Sequence, residues 1–225
     1  VQRVTEELMK LLHSSGINFE IVLVNNGSRD NTEAVIDKMI QIYGNTIVKI
    51  VVPVNKGFGW GVVNGLKACK GRFVGFMVGD LQVEARETFR IFNLARNNPS
   101  NIIKVYRYIR HEGIHRKILS HFYNWLFRIL YKNGVRDVNG TPKIFRAEFL
   151  RYLDLQSKQS FFDAELLIKL DTLGCKVIEV PVESKKRTAG RSKVRLSTVL
   201  DLFWNLLRFK FIEYRRWKSL SLIHI

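Results

Sequence analysis

Three short apolar runs alternate with amphipathic segments between residues 19 and 78, and this alternation constrains the fold more than any other feature. The runs are FEIVLVNN, NTIVKIVVPV and RFVGFMV, and helical patterns separate them. Strands joined by helices form a parallel sheet that helices cover on both faces. The sequence therefore predicts an α/β domain.

The chain opens on an amphipathic helix, in VTEELMKLLHSSG, rather than on a strand. A doubly wound domain normally opens with a strand. We therefore expect either a sheet that lacks this strand or a fragment of a longer protein, and we favour the fragment. The next helix, in SRDNTEAVIDKMIQIYG, has candidate capping residues at Ser28, Asp30 and Asn31.

The net charge of +17 is concentrated late in the chain. Residues 101–150 and 176–225 together carry +15 of it. Such a field attracts phosphates, whether of a nucleotide, a nucleic acid or an anionic membrane. No helix-turn-helix, zinc-finger or aromatic RNA-binding pattern is present in the sequence. We therefore expect no nucleic-acid partner, with DNA-binding as the competing interpretation.

The cysteines and the apolar runs argue against two further classes of protein. Cys69 and Cys175 lie far apart and outside any metal-binding pattern, which predicts free thiols in a reducing compartment. No signal peptide is recognisable, and no uncharged apolar run reaches the ~18 residues that a membrane span needs. We expect the chain not to cross a bilayer.

Two later segments combine a helical apolar pattern with basic ends. They are HRKILSHFYNWLFRILYKNG, residues 115–134, and LSTVLDLFWNLLRFKFIEYRRWKSL, residues 196–220. Helices of this composition suit a membrane interface, and packing on the sheet is the alternative, open for the first helix. We expect residues 1–195 to form the α/β domain and residues 196–225 a basic membrane-interface helix and tail. The protein would then be peripheral on an anionic membrane surface.

Polar groups follow each of the first three predicted strands. They are NNGSRD at 25–30, NKG at 55–57 and GDLQ at 79–82. Each alone is typical of a turn or helix cap, but three at successive strand ends favour a ligand site, because carboxyl ends of parallel strands share one edge. There Asp80 can reach a ligand and a divalent ion while its strand stays in the core.

In order and spacing, VNNGSRDNT, NKGFGWGVVNGLKACKGRFVGF and GDLQ resemble the nucleotide-sugar domain of inverting GT-A glycosyltransferases. The segments RDVNGTPKIFR, FFDAELL and EVPVESKKRTAGRSK narrow the resemblance to dolichyl-phosphate or polyprenyl-phosphate sugar synthases, of the glycosyltransferase family 2 type. It implies a GT-A, Rossmann-like fold with a mostly parallel sheet and C-terminal amphipathic helices. It also implies sugar transfer from a nucleoside-diphosphate sugar to a polyprenyl or dolichyl phosphate, at the cytoplasmic face of a membrane.

The resemblance also implies roles for particular residues. Nucleotide-sugar binding falls to Asn25, Asn26, Asp30, Lys56, Gly57 and Asp80. Asp80 and Gln82 are the implied ligands of Mg²⁺ or Mn²⁺, and Asp80, Arg187, Ser192 and Lys193 are the implied catalytic group, the last three on a closing loop. Arg116 and Arg128 are the implied clamp for the acceptor phosphate, which we expect near one helix face because twelve residues make little over three turns.

Two departures from the family pattern lower the expected affinity for donor and metal. Asn25 and Asn26 stand where family members have two aspartates, and Val78 stands where the first acid of the DxD motif would be. An amide accepts a hydrogen bond less strongly than a carboxylate, and one metal ligand is lost. We expect a weak divalent site, with charge neutralisation by lysine and arginine alone as the alternative.

The acceptor decides whether a general base is needed. The oxygen of a lipid phosphate is already anionic, whereas a sugar hydroxyl must lose its proton. Asp137 and Asp163 are the candidate bases for a hydroxyl-acceptor transferase in polysaccharide synthesis, although a helix-start role for Asp163 is favoured. A catalytically impaired relative is a further alternative.

Overall fold

The computed structural model describes residues 1–109, 111, 113–186, 196–214 and 217. The strands of this part are β1 Ile21–Asn26, β2 Ile47–Val52, β3 Phe73–Phe76, β4 Asn101–Ile109, β5 Lys143–Arg146 and β6 Lys176–Glu183. Its α-helices are α1 Gln2–Ser14, α2 Thr32–Tyr43, α3 Phe58–Ala68, α4 Ala85–Asn97, α5 Ile114–Tyr131, α6 Phe162–Thr172 and α7 Leu196–Arg208. A π-helical turn, Phe209–Glu213, follows α7 directly.

The strands form two hydrogen-bonded sheets. In the first, β1 pairs in parallel with β2, from Ile21 opposite Ile47 to Asn26 opposite Val52. In the second, the order is β3-β5-β4-β6, where β5 is antiparallel to both neighbours and β4 is parallel to β6. The expected α/β fold is confirmed, with β5 as an antiparallel strand within it.

Contacts at both ends show that β1 and β3 run in the same direction. Glu20, just before β1, accepts hydrogen bonds from the backbone N–H groups of Lys70 and Gly71, just before β3, the latter at 3.1 Å. At the other end, the ring of Phe58, which follows β2, lies 6.3 Å from that of Phe76 at the end of β3. The carboxyl ends of β1, β2 and β3 therefore share one edge of the molecule.

The start of α2 differs in detail from the expectation. Asn31 precedes the first helical residue, but its side chain makes no capping hydrogen bond. The carboxylate of Asp30 instead accepts the backbone N–H of Thr32 at 3.0 Å. The backbone N–H of Ser28 donates to Asn25 Oδ1 at 3.0 Å, so Ser28 belongs to the preceding turn. Of the three candidate capping residues, Asp30 is the one whose side chain accepts a backbone N–H at the start of α2.

The main hydrophobic core lies beneath α3, α5 and α6. Helix α6 is enclosed, and its residues 162–170 are all buried. Leu206 of α7 and Phe209 are buried in the same core, and Tyr131 of α5 donates its hydroxyl to the Leu206 carbonyl at 3.0 Å. The described part of segment 196–225 therefore packs on the α/β domain rather than standing apart from it.

Helix α5 is apolar on two faces. Tyr123, Phe127 and Tyr131 are buried. The opposite face exposes a stripe at i, i+4, i+8, i+11 and i+15, composed of Ile114, Ile118, Phe122, Trp125 and Ile129. Helix α7 and the turn after it expose a similar stripe of Leu200, Trp204, Leu207 and Phe211. Among the described residues, no helix is long and apolar enough to cross a membrane.

Candidate active site

The turns after β1 and β2 hold each other in place. Asn26 donates through Nδ2 to the Gly57 carbonyl at 3.0 Å. Gly27 has φ 62° and lies so close to Asn55 that a Cβ there would come within 2.7 Å of the Asn55 backbone nitrogen. Both the left-handed backbone and the close approach to Asn55 require glycine at position 27. Asn25 is buried, and its Oδ1 accepts the Ser28 N–H noted above.

The side chain of Lys56 lies at the exposed rim of these turns. Its ammonium is 5.1 Å from the centre of the Trp60 ring, and the ammonium of Lys158 is 5.8 Å from the same ring. The Lys56 carbonyl accepts a hydrogen bond from Gln159 Nε2 at 3.0 Å. Two cations thus flank one aromatic ring beside the turn of residues 55–57.

Asp80 lies in a pocket of about 170 Å³ at the same edge. The pocket is lined by Phe58, Met77, Val78, Asp80, Gln82, Val83, Arg107, Arg116, Asn139, Thr141, Pro142 and Asp163. Phe58 immediately follows the turn of residues 55–57, so the structure brings the ends of β2 and β3 to neighbouring positions. Carboxylates and guanidinium groups line one small space.

The turn after β3 is shaped by Asp80. Its Oδ1 accepts the Gln82 backbone N–H at 3.1 Å. Leu81, between them, has φ 60°, a backbone conformation that is uncommon for residues other than glycine. The Gln82 carbonyl accepts the Lys185 backbone N–H at 2.9 Å. Lys185 also pairs with Glu84 and holds the pKa of that carboxyl below its ordinary value. The chain after β6 is thus fixed beside Asp80.

Arg107 and Arg116 supply the positive charge of the pocket. Asp137 is buried behind Arg107 and accepts hydrogen bonds from its Nε at 2.8 Å and its Nη2 at 3.1 Å. This two-point pairing fixes the plane of the guanidinium. Arg116 lies in the first turn of α5. Asp137 does not line the pocket, so it orients Arg107 rather than facing a substrate.

Asp163 faces the pocket from the first turn of α6 and is paired with Lys143. Lys143 is fully buried, and this burial lowers the pKa of its ammonium to about 8 despite the raising effect of Asp163. Lys143 also lies 5.4 Å from the centre of the Phe76 ring. Asp163 therefore combines the expected helix-start position with an ion pair beneath the pocket.

The structure does not bring the two expected clamp residues together. Arg116 lines the pocket, whereas Arg128 is exposed in the last turn of α5. Twelve residues advance a helix by about 18 Å and turn it by about 120°, so the two cannot grip one phosphate. The expectation that they share a face is wrong. Arg187, Ser192 and Lys193 lie outside the described residues.

Sequence reasoning did not single out Arg107, Asn139 or Thr141. Arg107 is 30 residues from Asp137 in sequence, and only the fold pairs them. Asn139 and Thr141 stand in the RDVNGTPKIFR segment, whose resemblance to the family implies no role for these two side chains. The Oδ1 atom of Asn139 is buried with no hydrogen-bond partner among the described residues.

The pocket carries the kind of ligands that Mg²⁺ and Mn²⁺ take. Asp80, Gln82 and Asp163 all line it, and their side chains carry oxygen atoms of the kind that these ions bind. Within the described part of the chain, no group of three His, Cys, Asp or Glu side chains is placed to hold an ion. The residues fit a cation that takes most of its ligands from a bound diphosphate and water.

Comparison with known proteins identifies the class of this chain. It belongs to Glycosyl transferase family 2, whose model matches residues 1–154. A similar curated relative is the undecaprenyl-phosphate 4-deoxy-4-formamido-L-arabinose transferase of Edwardsiella ictaluri (strain 93-146), 24% identical over 194 residues, which are 86% of this chain and 58% of the relative. The same enzyme of Sodalis glossinidius (strain morsitans) is 25% identical, over 84% of this chain and 57% of the relative. The chain thus spans under two thirds of these relatives.

Solved structures share the fold. Glucosyl-3-phosphoglycerate synthase from Mycobacterium tuberculosis, in complex with Mn²⁺, UDP and phosphoglyceric acid, has a TM-score of 0.70 and 18% identity, over 94% of this chain and 75% of that one. The complex with Mn²⁺, UDP-glucose and phosphoglyceric acid has a TM-score of 0.67 and 16% identity, over 91% and 75%. The expected GT-A fold is thereby confirmed.

Proposed function

We propose that this protein transfers a sugar from a nucleoside-diphosphate sugar to a polyprenyl phosphate at a membrane surface. One observation carries the proposal. The pocket that holds Asp80 also holds Arg116, and Arg116 belongs to the first turn of a helix that exposes an apolar stripe. Such a site can meet a water-soluble donor and a lipid-linked phosphate together. The curated relatives are named as undecaprenyl-phosphate transferases, which agrees with this acceptor.

On the donor side, the turns after β1 and β2 bind the nucleotide. Asn25, Asn26, Asp30, Lys56 and Gly57 are the proposed contacts, with Asn25 acting through the turn it holds. The side chain of Lys56 is exposed beside the half-buried Trp60 ring, and its ammonium is the proposed contact for the phosphate oxygens. The solved relatives hold UDP or UDP-glucose, which supports a nucleotide-sugar donor.

Asp80 and Gln82 would hold Mg²⁺ or Mn²⁺ against the donor diphosphate. The ion, when bound, supplies positive charge to the diphosphate as it leaves. The amide at Gln82 and the loss of an acid at Val78 predict weak binding. Lys185, bonded to Gln82, leads the chain into the segment that carries Arg187, Ser192 and Lys193, so a catalytic role for that segment remains part of the proposal.

On the acceptor side, Arg107 and Arg116 hold the lipid phosphate. One anionic phosphate oxygen attacks the anomeric carbon of the sugar from the face opposite the diphosphate. A new bond forms between carbon and phosphate oxygen, the bond to the diphosphate oxygen breaks, and the nucleoside diphosphate leaves with that electron pair. The configuration inverts, and no proton must be removed, so no general base is needed.

The outer faces of α5 and α7 form the proposed membrane contact. They meet through aromatic rings, since Phe122 and Phe203 lie 5.4 Å apart. Basic residues border these faces at Arg116, Lys117, Arg128, Lys132, Arg208 and Lys210. Apolar faces with basic margins bind anionic bilayers from one side. We place the protein peripherally at the cytoplasmic face, with residues 1–195 as the catalytic domain and 196–225 as an interface segment, of which Leu206 and Phe209 pack on that domain.

The activity test uses vesicles that contain a polyprenyl phosphate. The protein is incubated with radiolabelled UDP and GDP sugars, and the lipid phase is extracted and counted. Asp80→Ala should abolish transfer, and Arg116→Ala should lower kcat/KM by roughly 10- to 100-fold, the worth of a charge-assisted hydrogen bond. Arg128→Ala, with saturating vesicles, should leave it within about twofold. Unchanged turnover in Asp80→Ala would end the proposal.

A second function, transfer to a sugar hydroxyl, is favoured by one observation, the carboxylate of Asp163 in the pocket. A base in this role makes kcat rise with pH until the group is ionised. Asp163→Asn should then lower kcat by about 100-fold or more and abolish that pH dependence. A lipid-phosphate acceptor instead predicts a kcat profile that Asp163→Asn does not reshape. Product analysis with hydroxyl acceptors then shows directly whether the protein transfers a sugar to them.

A further inference from the structure

An ion pair between β4 and β6 lies against the turn that carries Asp137. Lys104 of β4 stands opposite Glu179 of β6 in the parallel ladder, and Lys104 Nζ lies 3.0 Å from Glu179 Oε1. The side chain of Lys104 is fully buried, and that of Glu179 is 12% exposed. Lysine is almost never fully buried without a paired charge. The ion pair thus accounts for the burial of Lys104.

The other hydrogen bonds of this pair go mainly to the backbone of two successive residues. Glu179 Oε2 accepts the Arg136 N–H at 2.7 Å, and Oε1 accepts the Asp137 N–H at 3.1 Å. Lys104 Nζ donates to the Asp137 carbonyl and, at 2.8 Å, to the Val105 carbonyl. The backbone of Asp137 is therefore held at its N–H and at its C=O by two side chains that are distant in sequence.

The side chain of Asp137 passes this restraint on to Arg107. Its Oδ2 accepts the backbone N–H of Arg107 at 3.2 Å, in addition to the two guanidinium bonds described above. Gly140 closes the same turn, since its N–H donates to the Asp137 carbonyl at 3.0 Å and a Cβ there would lie 2.2 Å from the Val105 carbonyl oxygen. The turn thus lies directly on β4, and a shift of Asp137 would displace the guanidinium that lines the pocket.

We propose that Glu179 is a positioning residue for the acceptor phosphate and acts through Asp137 and Arg107. The inference rests on the proposed transfer to a polyprenyl phosphate, in which Arg107 binds that phosphate. Glu179 does not line the pocket, so it acts only through other residues. Its carboxylate fixes the Asp137 backbone, and Asp137 fixes the plane of the Arg107 guanidinium. A guanidinium held in one plane loses less freedom when it binds a phosphate.

The rival interpretation is that Glu179 only neutralises Lys104. A buried ion pair adds little stability by itself, because the cost of taking two charges out of water offsets their attraction. Neutralisation also requires no particular geometry, whereas both carboxylate oxygens of Glu179 bind the N–H groups of Arg136 and Asp137. The test must therefore separate positioning of Arg107 from a general loss of stability.

Glu165 is the matched control, since it has the same chemistry on the donor side of the molecule. It pairs with Lys169 and accepts two successive backbone N–H groups, those of Gln156 and Ser157. Glu179→Gln and Glu165→Gln each remove one charge and one acceptor oxygen from such a cluster. Urea denaturation measures the stability that each variant loses, so that the kinetic effects can be compared at known stability.

Transfer is measured in vesicles over a range of polyprenyl-phosphate mole fractions and of nucleotide-sugar concentrations. Glu179→Gln should raise the KM for the lipid phosphate by about tenfold, the worth of one charge-assisted hydrogen bond, and leave the KM for the donor within about twofold. Glu165→Gln should leave the KM for the lipid phosphate within about twofold. In an Arg107→Ala background, Glu179→Gln should raise this KM no further, because both changes act on one contact.

Hydrogen exchange on the wild type gives a second measurement that needs no variant. The probe is farnesyl phosphate in detergent, at a concentration that blocks transfer, and it binds Arg107 from the pocket. Exchange of the Arg136 and Asp137 amides should slow by about fivefold or more, because a network held at both ends opens less often. The amides of Gln156 and Ser157 should exchange as before. Unchanged exchange at residues 136 and 137 would contradict the proposal.

The kinetic results can also overturn the proposal. An equal rise in the KM for the lipid phosphate in both glutamine variants would assign the effect to general loosening of the fold. Additive effects of Glu179→Gln and Arg107→Ala would show that Glu179 acts by another route. If the wild type transfers sugar to the lipid, either result ends this inference alone. If the wild type shows no such transfer, the proposed function and this inference fail together.

Discussion

Helices α5 and α6 differ in whether their charged and apolar side chains are buried or exposed. Helix α6 buries Asp163, Glu165 and Lys169 along with its apolar residues, so that nothing between 162 and 170 is exposed. Helix α5 exposes the basic side chains of Lys117 and Arg128 and also leaves five large apolar side chains exposed. The difference shows that burial follows position in the fold rather than side-chain polarity, and that an exposed apolar face calls for a second environment.

The buried charges of α6 are tolerated because each has a partner. Lys169 pairs with Glu165 at 2.7 Å, four residues apart on the same helix. The two oxygens of Glu165 also accept the backbone N–H groups of Gln156 and Ser157, at 2.9 and 2.8 Å. Glu165 thus ties the loop before α6 to the helix, and this loop reaches the turn at residues 55–57 through Gln159.

The largest effect is expected at Glu165. Glu165→Ala leaves the buried Lys169 ammonium without its carboxylate and frees two backbone donors. We expect the free energy of unfolding to fall by about 3–5 kcal/mol. Urea denaturation checks this. Glu165→Gln keeps acceptor oxygen for the loop and should lose less. A loss under about 1 kcal/mol in the alanine variant would mean that α6 is not as enclosed as described.

Matched truncations sharpen the contrast between the helices. Leu166 of α6 is fully buried, and Ile118 of α5 is 61% exposed. Leu166→Ala should cost about 2–5 kcal/mol, since it opens a cavity. Ile118→Ala should change the free energy of unfolding by no more than about 0.5 kcal/mol. Equal losses in denaturation experiments would show that the outer face of α5 is packed in solution.

The exposed stripe of α5 should instead matter for lipid. Replacing both Phe122 and Trp125 with serine should weaken binding to anionic vesicles by roughly 10- to 100-fold, because two large apolar side chains no longer leave water. Vesicle sedimentation measures this. Ile42→Ser on α2, a similarly exposed apolar site, is the control and should bind as wild type does. Loss of binding in the control alone would redirect the contact to α2.

The smallest effect is a pH dependence from the partner of Asp163. The pKa of Lys143 is about 8 in the folded protein, below its ordinary value of 10.5. Between these values the unfolded chain binds more protons, so the contribution of Lys143 to the free energy of unfolding rises with pH by about 1 kcal/mol per unit. Denaturation is measured for wild type and Lys143→Met from pH 7 to 10. The free energy of unfolding of the wild type minus that of the variant should increase with pH over this range. A difference that shrinks with pH would contradict the assigned burial.

The early part of the fold was predictable because its signals are local. Apolar runs and glycine-rich turns fix β1, β2, β3 and the helices between them, and Asp80 follows from its place after β3. The strand β4 and the antiparallel pairing of β5 were not assigned, since pairing depends on residues distant in sequence. The same holds for Arg107, whose partner Asp137 is 30 residues away.

The outer helices show where pattern reading stops. The pattern of residues 115–134 predicts an apolar helix. Because both sides of this helix are apolar, the pattern does not indicate which side packs against the core. The structure resolves this, with Phe127 inside and Phe122 outside. Similarly, FFDAELL predicts a helix start at Asp163, whereas its ion pair with Lys143 requires β5 to lie beneath it.

The placement of Arg116 at the head of α5 has a kinetic consequence. If the proposed transfer to a lipid phosphate is correct and the outer stripe rests on a bilayer, the reaction pocket lies at a fixed height above the headgroups. The acceptor then arrives by lateral diffusion in two dimensions, and turnover follows its mole fraction in the leaflet rather than its amount per volume. Dilution of the acceptor with inert phospholipid would slow the enzyme even when the total quantity of acceptor in the tube is unchanged.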